Sequence, residues 1–413
     1  MRPLSLTLAL LSICLLVISC ASEQGKSSEQ TGESITYPPV DTLAPEAKGQ
    51  LAAFAGQTRV PGVKTQTPFK VDIITDQLHF PWGLDFLPDG RMIVTEKPGR
   101  IRILTMEGAI SDTILGVPPV YFKQDGGLMD IILDPDFINT RQLFWTFSEP
   151  YQGEYLAAIG RARLSADEKQ LENVKVIYRA SPTNYGYYHY GARLLFDPEG
   201  FLLACFGERF HPEVRPLAQS LGSALGKVIR ITKEGAPAPG NPFINDPEAK
   251  PEIWALGFRD PQGMTFHPTT GALWLSDHGA RAGDEINILS AGKNYGWPII
   301  AYGMEYNGDP INEGLTQKEG MEQPVYYWDP AISPSGISFY SGAQIPEWKG
   351  NLFVTALRGR HLARLVIQDN RVIGEERLLV DQEHRMRDVT EGPDGALYVL
   401  TDQEDGRLIR IGK

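Results

Sequence analysis

Cysteine is nearly absent from the chain: among 413 residues there are three, Cys14, Cys20 and Cys205. Cys14 falls in a leader region and Cys20 directly follows it as the expected lipid carrier, which leaves Cys205 alone and no disulfide framework to staple one mature chain. No Cys-x-x-Cys-His haem signature occurs either. Long apolar runs are also missing. The longest, Leu4 to Ile18, is shorter than the ~20 residues of a membrane span. Positive charge is short as well: 39 basic against 51 acidic residues leave a net charge of −12, which argues against a nucleic-acid partner. Extended helical periodicity is scarce. What the chain does hold is 42 glycines, 31 prolines and 42% hydrophobic residues, the composition of an all-β protein rich in turns and large enough to bury a core.

The N-terminus reads as a targeting segment. Met1-Arg2 precedes the apolar run, which ends in Val17-Ile18-Ser19-Cys20, the form of a bacterial lipobox. This predicts a lipoprotein signal peptide over 1–19 and a lipid-carrying Cys20. The mature protein would then be held on a membrane of the cell envelope, facing the periplasm or the exterior. Residues 20–68 are polar and rich in Ser, Gln, Gly and Pro, which predicts a flexible tether averaging roughly 40 Å in span. The folded domain is expected over 69–413. Cys205, inside LLACFGE, is expected to be a small core residue.

From Phe69 onward one pattern recurs six times: a short apolar strand, a turn carrying Pro, Asp or Gly, and a second apolar strand. GLDFLPDGRMIVTE, ARLLFDPEGFLLACFGE and RDVTEGPDGALYVLTD are three of the copies. Anchored at Pro88, Pro135, Pro198, Pro268, Ser341 and Pro393, the copies are spaced by 47, 63, 70, 73 and 52 residues. Hairpins at such periods predict a six-bladed β-propeller of four-stranded antiparallel blades. The first blade parses as GLDFLP, RMIVTE, GRIRIL and AISDTIL. The last has only three strands before Lys413, so FKVDIIT near residue 70 is expected to supply its fourth and close the ring.

In such a blade the residues just before the first strand and just after the second ring one mouth of the central channel. Those positions hold Gln124-Asp125, His189, Glu208-Arg209, Arg259-Asp260, Asp277-His278-Gly279, Arg358, Arg385 and Arg387. Plain turns occupy the opposite mouth. His189, in YYHYGARLLFDPEG, is either a structural histidine satisfied by its tyrosines or a base able to take a proton near neutral pH. Arginines gathered from several blades call for a planar anion, although Asp260 or Asp388 next door offers some of them a partner. The loop SDHGARAGDEINILSAGKNYGW suits a hard cation, with Glu285 and the backbone at Tyr295 as donors, or else caps a hairpin. His278 has no histidine partner at a zinc spacing.

HYGARLLFDPEG, PEIWALGFRDPQGMTFHP, HGARAGDEINILSAGKNYGWP and RMRDVTEGPDGALYVLTD, in that order, resemble the soluble aldose sugar dehydrogenases of the glucose/sorbosone dehydrogenase family. The likeness covers about 69–413. It implies a quinoprotein that uses pyrroloquinoline quinone (PQQ) and Ca²⁺ to oxidise aldose sugars to lactones, passing electrons to an external acceptor. On this resemblance His189 is the base for the anomeric hydroxyl and Arg259 lies beside the quinone oxygens. Arg385, Arg387 and Arg358 grip the cofactor carboxylates, and Gln124 or Asp125 lies at a cofactor-proximal position. Gly279 and Ala280 offer carbonyls to the catalytic Ca²⁺, and Glu285 and Tyr295 match a second Ca²⁺ site. There are departures: Asp125 stands at the position aligned with glutamine, Asp260 replaces an asparagine, Ala280 a proline, and Tyr188 precedes the base. The alternatives are a calcium-dependent lactonase, or a non-enzymatic propeller that binds carbohydrate or protein.

Overall fold

The computed structural model describes residues 37–413. The expected signal peptide, Cys20 and the start of the tether lie outside the described residues. The repeats fold into six antiparallel sheets, and each innermost strand packs against the innermost strands on either side, closing a ring. Those inner strands are Pro81–Phe86, Leu128–Leu133, Gly191–Phe196, Pro261–Phe266, Pro334–Phe339 and Met386–Glu391. The six-bladed propeller expected from the spacing is what forms.

The residues of one strand serve two neighbours. In Leu202–Phe206, every position is buried. Leu202, Ala204 and Phe206 pack toward the second blade, while Leu203 and Cys205 pack toward the fourth. Side chains alternate across a strand, so a blade buried on both faces requires a continuous apolar run. LLACF is such a run, and Cys205 is a core residue. Six apolar clusters of this kind each join two adjacent blades, including the last to the first.

Ring closure follows the expected route. Lys70–Leu78 pairs antiparallel with Gly406–Gly412 and becomes the outer strand of the sixth blade. The first blade is the exception, with three regular strands. The expected fourth, AISDTIL, touches its neighbour only in places: Ser111 N–H donates to Ile103 O (2.8 Å) and Ile114 N–H to Ile101 O (2.9 Å). Leu115 then bonds instead with Lys169 and Leu171 of the second blade, which draws the segment off the ladder.

The flexible tether expected over 20–68 is corrected for its described part. Residues 37–68 form an arm laid against the fourth and fifth blades. Gln57 is wholly buried, and its Nε2 donates to Pro324 O (2.9 Å). The Asp329 carboxylate accepts the amides of Glu46 (2.7 Å) and Ala47 (3.0 Å). Val63 N–H reaches Glu375 O (2.9 Å), and Trp348 Nε1 donates to Thr65 Oγ1 (2.8 Å). Polar composition fails as a guide here because the arm is held largely by hydrogen bonds, with Val60 as its buried apolar contribution to the adjoining cluster.

Candidate active site

The loops before the inner strands and after the second strands enclose a polar cavity of about 210 Å³ at one mouth of the channel. His189, Arg259, Arg385, Arg387, Asp125, Asp260, Gly279 and Ala280 all border it. Chain geometry brings them together: residues at equivalent ends of six radial blades must share one rim.

His189 is nearly buried, and its Nδ1 lies 2.9 Å from Glu208 Oε1. Glu208 is fully buried, and its Oε2 has no hydrogen-bond partner. A carboxylate at Nδ1 favours the tautomer with the proton there, which leaves the Nε2 lone pair as the basic site. Burial, and then Arg259, His278, Arg209 and Arg215, hold the imidazole well below its usual value. The ring is therefore neutral at ordinary pH, with its Nε2 lone pair unprotonated. Its backbone is left-handed (φ 50), and the amide donates to Asp125 Oδ2 (3.1 Å). Two residues on, only glycine suits Gly191: φ is +65, and a Cβ would meet Gly207 N at 2.8 Å. The Phe210 ring packs edge-on to His189 at 4.8 Å and to Tyr306 at 6.0 Å, forming an aromatic wall beside the base.

The cations outnumber their partners. Arg387 donates to Asp402 Oδ2 (2.8 Å) and Gln262 Oε1 (3.1 Å), and Arg385 shares that same Asp402 oxygen at 3.3 Å. Arg259 is 2% exposed. Its Nε and that of Arg387 are buried without a partner. Lys97, which sequence reasoning passed over, is buried behind Asp125, its Nζ donating to Gln124 O (2.6 Å). Burial lowers its pKa, with Asp402, Arg387 and Asp125 close enough to act on it. An anion in the cavity would complete this charge set.

Asp260 is buried, and its Oδ1 accepts the Gly191 amide at 3.0 Å. Burial, then Asp125, push it up to about 8. At neutral pH it is a protonated acid, close in shape and charge to the asparagine it replaces. As a neutral acid it adds no negative charge to the cavity below that pH.

Two expected ligands sit elsewhere, and a third, Gly279, borders the cavity with its carbonyl already taken. Arg358 does not border the cavity; its Nη2 turns to Glu46 of the arm, 3.3 Å away. Gln124 is exposed and takes part through its carbonyl to Lys97. Gly279 O accepts Arg259 Nη1, so the carbonyl assigned to a catalytic Ca²⁺ is held by a guanidinium. Glu285 and Tyr295 do share a void, of about 10 Å³, enough for one water-sized occupant. Burial, then Asp277, push Glu285 up to about 8, and the neighbouring Asn287 Oδ1 is buried without a donor. An oxygen-lined void beside the Glu285 carboxyl group, which accepts only Asn287 Nδ2 (3.1 Å), suits a hard cation whose charge would hold that group ionised. Among the described residues no three His, Cys, Asp or Glu side chains converge as a metal cluster, so carbonyl oxygens must complete any such site.

Glu208 and Lys97 follow the second strands of their blades, positions the repeat itself marks as facing this mouth. That was the signal available for both.

The family model described as Glucose / Sorbosone dehydrogenase matches residues 78–410. The chain belongs to this family. The aldose sugar dehydrogenase YliI of Escherichia coli is 40% identical over 344 residues, covering 83% of this chain and 92% of that protein. The apo-form structure of the soluble aldose sugar dehydrogenase from Escherichia coli superposes with a TM-score of 0.79 at 38% identity, covering 84% of this chain and 99% of that one. The PQQ-bound aldose sugar dehydrogenase of Streptomyces coelicolor gives a TM-score of 0.70 at 26% identity, with 84% and 99% covered. In this member of the glucose/sorbosone dehydrogenase family, then, His189, Arg259, Arg385 and Arg387 lie in one cavity, while Arg358 lies outside it.

Proposed function

We propose that the protein is a quinoprotein sugar dehydrogenase that oxidises an aldose at C1 to its lactone and delivers the electrons to an external acceptor. The observation that carries this reading is the shared cavity of His189, backed by Glu208, and the under-compensated Arg259, Arg385 and Arg387. The family membership and the PQQ-bound relative support it. A lactonase would have no use for so much positive charge at the cavity wall.

Lactone formation removes the O1 proton and the C1 hydride; PQQ, when bound, supplies the two-electron acceptor. His189 Nε2 takes the proton, and Glu208 holds the ring and offsets the charge it gains. Arg259, Arg385 and Arg387 would hold the anionic cofactor and favour charge developing on it. The Phe210–Tyr306 wall limits water and gives a sugar ring an apolar face to rest on. Ca²⁺ is assigned to the Glu285 carboxylate and the Tyr295 carbonyl. Lipid attachment at Cys20 would keep the enzyme at the envelope, with the cavity open to solutes there.

Reconstitution tests the reading. The propeller with its arm, residues 37–413, is mixed with PQQ and Ca²⁺, and dye reduction is followed over a panel of aldoses beside His189→Ala. Turnover that needs the cofactor and is lost in the variant is expected. Absence of any PQQ binding would overturn it.

A further inference from the structure

We propose that Glu46, on the N-terminal arm, sets cofactor affinity by holding Arg358 off the cavity, so that an incoming cofactor carboxylate must displace a carboxylate of the protein itself. The inference rests on the quinone-cofactor reading above. Its starting point is a mismatch: Arg358 follows the second strand of its blade, Leu352–Ala356, by two residues, and its neighbour Leu357 lines the cavity. Its own guanidinium is turned away, toward the arm.

The arm is built to present that carboxylate. The Asp329 side chain fixes the amides of Glu46 and Ala47, and Arg59 donates to Asp41 O (3.0 Å), Leu43 O (2.7 Å) and Asp329 O (2.5 Å), tying the turn before Glu46 to the fourth blade. With its backbone held, Glu46 reaches two guanidiniums: Arg281 Nε at 2.7 Å and Arg358 Nη2 at 3.3 Å. Arg281 follows Ala280, which also lines the cavity. Both arginines thus root on the rim, and one carboxylate from a remote part of the chain occupies them.

The exchange is easy. The Glu46 side chain is 20% exposed, against 53% for Arg358, so the shared bond is a solvent-screened one of small strength. Arg281 remains as a partner for Glu46 once Arg358 leaves. A carboxylate-bearing cofactor at the rim offers Arg358 an equivalent acceptor closer to the other arginines. Release of Arg358 should also free the arm from one of its contacts with the rim.

The test is equilibrium titration of PQQ into the cofactor-free protein, in calcium buffer, followed by quenching of protein fluorescence. Wild type, E46Q, R358Q and the double variant are compared. Removing the competitor should tighten binding about threefold in E46Q. R358Q should weaken it, and the E46Q gain should vanish in the double variant, since the effect passes through Arg358. In wild type, amide hydrogen exchange across residues 41–50 should quicken when PQQ binds. A side chain that merely supports the fold gives no gain on removal, so the sign decides. Unchanged or weaker binding by E46Q, or a gain that persists without Arg358, overturns the proposal while leaving the cofactor reading intact. Wild type that binds no PQQ removes both.

Discussion

The two ends of the central channel are made by the same inner strands, yet they differ in kind. At the end where those strands begin, Arg259, Arg385 and Arg387 border a cavity, and the Nε atoms of Arg259 and Arg387 are buried without partners. Where the strands continue, Arg193 sits between Asp130 and Asp388, at 2.9 Å from each. There the carboxylates also accept backbone amides: Leu194 N–H donates to Asp130 and Leu133 N–H to Asp85. Each region has a cavity beside it, but the first holds guanidiniums without enough acceptors, whereas the second uses its charge to tie blades together. Titratable side chains alone do not mark a functional site, since both ends have them. Incomplete compensation beside an oriented histidine does.

Substitutions can break this contrast. The largest effect is expected for His189→Ala, which removes the base and should lower kcat/KM about 1,000-fold in the reconstituted enzyme, measured by dye reduction. At the opposite end, Arg193→Met strands two buried carboxylates and should cost about 3–5 kcal/mol in denaturant unfolding. If that variant instead unfolds like wild type, the reading of the Asp130–Arg193–Asp388 cluster as structural fails. Burial pushes Glu208 up to about 7, and Glu208→Gln keeps the shape but removes the group able to offset charge gained by the ring. Its kcat should drop on the order of 100-fold while PQQ affinity holds, and an equal loss in both would show that Glu208 acts on the cavity as a whole.

The smallest effect at neutral pH, and the sharpest, belongs to Asp260→Asn. Asp260 has a raised pKa, so it is neutral below about 8 and gains a negative charge as pH rises through that value. Beside an anionic cofactor, the new charge should weaken PQQ binding across that range. Asparagine cannot ionise, so Asp260→Asn should bind normally at pH 7 and lose the alkaline decline. Parallel curves for the two proteins would place the decline on another group.

Much of this was legible in the chain itself. Strand–turn–strand copies at regular spacing specify radial blades because a hairpin with two apolar faces can bury both only between two others. Once the blades are known, the ends of their strands are known too. His189, Arg259, Arg385 and Arg387 could therefore be placed on one rim from position alone. Glu208 and Lys97 were readable by the same rule, although Glu208 gave no local sign of being a partner for the ring and Lys97 none of being buried.

The rest depended on contacts between residues far apart in sequence. Nothing near Glu46 says that Asp329, 283 positions away, will fix its amide and aim it at Arg358. Nothing in the loop around Gly279 says that Arg259 will take its carbonyl. The protonated state of Asp260 follows from burial and from Asp125 on another blade. Local pattern determined the propeller, its mouth and the place of His189 on that mouth, because apolar periodicity and strand ends are properties of short segments. Pairing, burial and charge state were decided by the tertiary structure, because electrostatic free energy depends on which remote groups the fold brings within a few ångströms and how far it shuts out water.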